Sequence, residues 1–115
     1  MSDLQQLRHA NIARDRLWNP YGNITLLFRG VELGGECGEA LNLLKKIERE
    51  AMGLAGSRST VEDAMEELAD IVICADLVAM HLGGDLAKAV EAKFNKTSDR
   101  HGFDVHLDFA SDVNG

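Results

Sequence analysis

Glu36 and Glu39 stand three residues apart, and Glu67 and Asp70 repeat that spacing further along the chain. On a helix, residues three apart share a face with Cβ atoms about 5–6 Å apart. Glu67 and Asp70 open the apolar run Leu68-Ala69-Asp70-Ile71-Val72-Ile73. Like charges beside such a run are costly unless a cation binds them. If the two helices pack antiparallel, four carboxylates converge, and oxygen-only ligands suit Mg²⁺ or Mn²⁺ rather than zinc. The same spacing also suits solvated charges on two helix faces. Glu32, one turn before Glu36, and Glu66, beside Glu67, are the candidates for a carboxylate left over to take a proton.

The elements that must position these acids read as helices. The 115 residues carry 45% hydrophobic and 27% charged side chains but only 5% aromatic ones, and one proline. A many-stranded protein needs more β-branched and aromatic residues and more turn punctuation. The expectation is an all-α fold, a four-helix up-and-down bundle.

The first helix is predicted over Asp3–Leu17, before the turn Asn19-Pro20-Tyr21-Gly22-Asn23. The second runs Ile24–Met52, with Leu26, Leu27, Leu33, Ala40, Leu41, Leu44 and Ile47 apolar. Gly34, Gly35 and Gly38 inside it cost up to ~1 kcal/mol each relative to alanine. They imply close approach of a backbone or ligand, or else a break. Gly53–Ser59 reads as a loop. Ser59 to Glu62 fits a capping box with Ser59 as N-cap, opening a third helix over Thr60–Leu82. Its stripe Val61, Met65, Leu68, Val72, Ala75 and Ala79 reads as core. Gly83-Gly84 ends it, and Asp85 caps a fourth helix that runs to Arg100. Residues 1–103 form one domain, and 104–115, with weak periodicity, read as a C-terminal tail or arm. The third helix is apolar over most of its circumference from Leu68 to Leu82, which predicts a homodimer or homotetramer to cover it.

Nineteen acidic residues against twelve basic give a net charge of −7. That balance argues against a nucleic-acid polymer as partner, since phosphate neutralisation needs a basic excess. Cys37 and Cys74 have no metal-ligand spacing and read as reduced, small buried apolar residues. No run is long enough to span a membrane, and the N-terminus lacks a signal segment, so a cytoplasmic protein is expected.

The motif Gly35-Glu36-Cys37-Gly38-Glu39-Ala40, followed by Glu66-Glu67-Leu68-Ala69-Asp70-Ile71, resembles the paired signature of the MazG-like nucleotide pyrophosphohydrolases, of the all-α nucleoside triphosphate pyrophosphatase superfamily. The resemblance spans about residues 5 to 103 and includes Lys93-Phe94-Asn95-Lys96. It implies that Glu36, Glu39, Glu67 and Asp70 hold Mg²⁺. It also implies conversion of a nucleoside triphosphate to monophosphate and pyrophosphate, in nucleotide-pool cleaning. Gly35 stands where that family often has an acid. Lys93 and Asn95 carry over as phosphate-tail contacts, and Lys96 and Arg100 extend the basic face. His9 and Trp18 look like the first-helix pair with which some relatives cup the base, and a tryptophan ring suits stacking. A catalytically silent helical module, and a phosphoribosyl-ATP pyrophosphohydrolase-like enzyme, are the other readings of the same chain.

Overall fold

The computed structural model describes residues 1–110, and among them there are four α-helices and no strand. They are α1 Asp3–Trp18, α2 Leu26–Ala51, α3 Val61–His81 and α4 Leu86–His101. No helix among the described residues is long and apolar enough to cross a membrane. The chain divides into two compact units. One joins Met1–Gly22 to the chain from Ala79 on, and the other is Asn23–Val78.

Short polar side chains open each helix. Ser2 caps α1, accepting from the Gln5 N–H at 3.2 Å while the Gln5 side chain accepts from the Ser2 N–H at 2.9 Å. This reciprocal pair satisfies two donors that a helix start leaves bare. Thr25 caps α2 through the Phe28 N–H, and Asp85 caps α4 through the Lys88 N–H. For α3 the cap is Thr60, whose hydroxyl accepts from the Asp63 N–H at 3.1 Å. The expected cap, Ser59, lies one residue too early, and its buried hydroxyl has no hydrogen-bond partner. Both residues carry a hydroxyl with an acid three positions on, so the sequence offers two registers and the helix takes the later one.

α2 is unbroken through Gly34, Gly35 and Gly38, and a methyl group added at any of them would meet nothing within 4 Å. No close approach among the described residues accounts for these glycines. Gly102, by contrast, is needed for its conformation. It closes α4 at φ 69°, with its own N–H bonded to the Asp99 carbonyl and the Phe103 N–H bonded to the Ser98 carbonyl at 2.9 Å. That left-handed closure favours glycine.

In the first unit α1 lies against α4, and Asn11, Ala87 and Ser98 are buried. In the second unit the buried residues are Arg29 and Ala40 of α2 and Ala64, Asp76 and Leu77 of α3. Of the apolar stripe expected to be core on α3, Val61, Met65, Leu68 and Val72 are exposed, and only Ala75 and Ala79 are half-buried. The covered face of α3 is instead Ala64, Glu67, Ile71, Cys74 and Leu77. It is offset from the stripe by one position on the helix, and it carries a carboxylate at its centre. A helix apolar on two faces offers the sequence no means of choosing between them.

The segment after α4 is tied down. The Asn95 amide donates to the Leu107 carbonyl at 2.9 Å and accepts from the Leu107 N–H at 2.7 Å. Glu91 accepts from the Phe109 N–H at 3.0 Å. His106 Nε2 lies 2.7 Å from an Asp99 carboxylate oxygen. Residues 104–110 of the expected tail are thus fastened to α4, and 111–115 lie outside the described residues.

A candidate metal centre between α2 and α3

Three of the four sequence-predicted acids come together. Glu36 of α2 and Glu67 and Asp70 of α3 each offer a carboxylate oxygen, and these oxygens all lie within 4.8 Å of one another. Glu36 and Glu67 are half-buried and Asp70 is exposed, so the cluster has a covered floor and an open side. One oxygen each of Glu36 and Glu67 is covered and has no hydrogen-bond partner. Covered carboxylate oxygens are ordinarily satisfied, and an unsatisfied one on each of two clustered residues needs an explanation. Glu39 is not part of the three-oxygen group. It is exposed, yet close enough to Glu67 to act on its charge.

The electrostatics register the crowding. Glu67 is pushed from its ordinary 4.5 up to about 7, first by burial of its carboxyl and then by Glu36 and Glu39 beside it. The residue keeps part of its surface in solvent, but the covered oxygen loses its hydration, which disfavours the charged form. A cation between the carboxylates would reverse both effects.

The face extends further than the four acids. Burial raises the Cys74 thiol, and the charges of Glu32, Glu36 and Asp70 raise it further, while Arg29 opposes them. Glu32 therefore shares the neighbourhood of Glu36 and Asp70. Arg29, Glu32, Glu36 and Glu39 follow one another at steps of three, four and three along a single face of α2. Glu66 is exposed and is not among the charges that act on Glu67 or Cys74. Sequence reasoning missed Arg29. It is 3% exposed, and in Leu26-Leu27-Phe28-Arg29 it reads as an ordinary cation. The periodicity from Arg29 to Glu39 is the signal that could have found it.

The expected substrate contacts are all in the other unit. Trp18 is 58% exposed at the end of α1, with the Arg14 guanidinium 4.8 Å from its ring centre, so it anchors no core within this chain. His9 is exposed beside Ile12, Ala13 and Arg16 in a shallow hollow. Lys93, Lys96 and Arg100 are exposed on α4. Asn95 is different, because both polar ends of its amide are taken up by Leu107. No protein-family model, no curated protein and no solved structure matches this chain.

Proposed function

We propose that this chain is a Mg²⁺-dependent nucleoside triphosphate pyrophosphohydrolase of MazG-like type, releasing a nucleoside monophosphate and pyrophosphate. The observation that carries the reading is the meeting of Glu36, Glu67 and Asp70, with covered oxygens of Glu36 and Glu67 left without partners. The donor set fits Mg²⁺, which takes carboxylate oxygens and keeps waters for the substrate. Mn²⁺ fits the same donors. Glu36, Glu67 and Asp70 would hold the ion, and Glu39, beside Glu67, would complete the set.

When bound, such an ion polarises phosphoryl oxygens and lowers the pKa of an attacking water. The residues of the chain do the rest. Glu36 and Glu67 would face the ion from the covered side of the site. Glu32, which shares the neighbourhood of Glu36 and Asp70, would be the carboxylate that accepts a proton from water. Trp18 has an exposed ring suited to stacking, and Lys93, Lys96 and Arg100 are exposed cations, all within the first unit. A substrate with several phosphates is the ligand whose charge an acidic, metal-loaded site accepts.

The exposed apolar residues of α2 and α3 support a homo-oligomer. Leu27 is 76% exposed, and Val31, Leu41, Val61 and Met65 are all more than half exposed. Apolar area of this extent ordinarily marks a contact surface.

The test is chromatography of the products from a panel of ribo- and deoxyribonucleoside triphosphates incubated with Mg²⁺. Monophosphate and pyrophosphate are expected. A diphosphate with free phosphate, or no turnover of any triphosphate, would overturn the reading.

A further inference from the structure

We draw no further inference here: the strongest candidate, the exposed face of α2 that carries Leu27, Val31 and Leu41 beside Gly30, Gly34 and Gly38, is an unpartnered apolar stripe on small residues, and nothing in the structure shows what covers it.

Discussion

A carboxyl group pushed up to about 7 keeps its proton where an ordinary glutamate has lost it, and cation binding requires that proton to leave. For Glu67 the folded value lies above the ordinary 4.5, so the folded state holds more protons than the unfolded chain between those two values. Without metal, stability therefore falls as pH rises through that window, and the loss is complete above about 7. Glu67→Gln removes the charge with little change in volume. In EDTA the variant should match wild type near pH 4.5 and melt above it at pH 8, while losing activity and the response to magnesium. Melting curves across that range decide the matter. A Gln variant that melts well below wild type at pH 8 would mean that Glu67 makes a structural bond instead. Trp18, exposed and held under Arg14, gives a second prediction at this scale. Trp18→Ala should fold normally and raise KM with kcat nearly unchanged, as loss of binding common to ground and transition states requires. An unchanged KM would exclude base stacking.

The elements test the cap of α3 and the fastening of the C-terminal segment. Thr60→Ala should cost about 1 kcal/mol, the usual loss for a hydroxyl N-cap. Ser59→Ala should cost nothing or stabilise, since a covered hydroxyl without a partner is lost. Chemical denaturation of the two variants reads the difference, and the reverse order would put the cap back at Ser59. Asn95→Ala removes both bonds to Leu107 and should speed amide exchange at Leu107 and Phe109 without altering exchange in α2. The four helices were legible because Gly83-Gly84, the Asn19-Pro20 turn and Asp85 punctuate a chain with strong helical periodicity. The face of α3 that packs was not legible, because Val61-Met65-Leu68-Val72 is the more apolar stripe and yet stays exposed within the chain. The segment after α4 looked weakly periodic at the helical spacing because its period is two. Asn95 drew attention through its neighbours Lys93 and Lys96, whereas its amide is occupied by main chain twelve residues on.

For the whole molecule, spacing placed the acids at 36, 39, 67 and 70 on two helix faces but suited solvated charges equally well, and the meeting of 36, 67 and 70 without 39 had to be supplied by the fold. Arg29 was missed although it continues the acidic periodicity of α2, because burial of a cation is the exception; Cys74, expected to be buried, is half-buried, and its place beside the acids depends on how α3 packs on α2. The central claim is that these carboxylates form a divalent-cation site. A cation that binds the folded protein and not the unfolded chain stabilises it by about 2.7 kcal/mol at a hundredfold excess over Kd, a rise in melting temperature on the order of 10 °C. The most direct measurement is calorimetric titration of Mg²⁺ into the metal-free protein at pH 8, with Glu67→Gln alongside. Saturable binding by wild type that is lost in the folded Gln variant is the predicted result. Absence of saturable binding by wild type, or equal binding by both proteins, would contradict it.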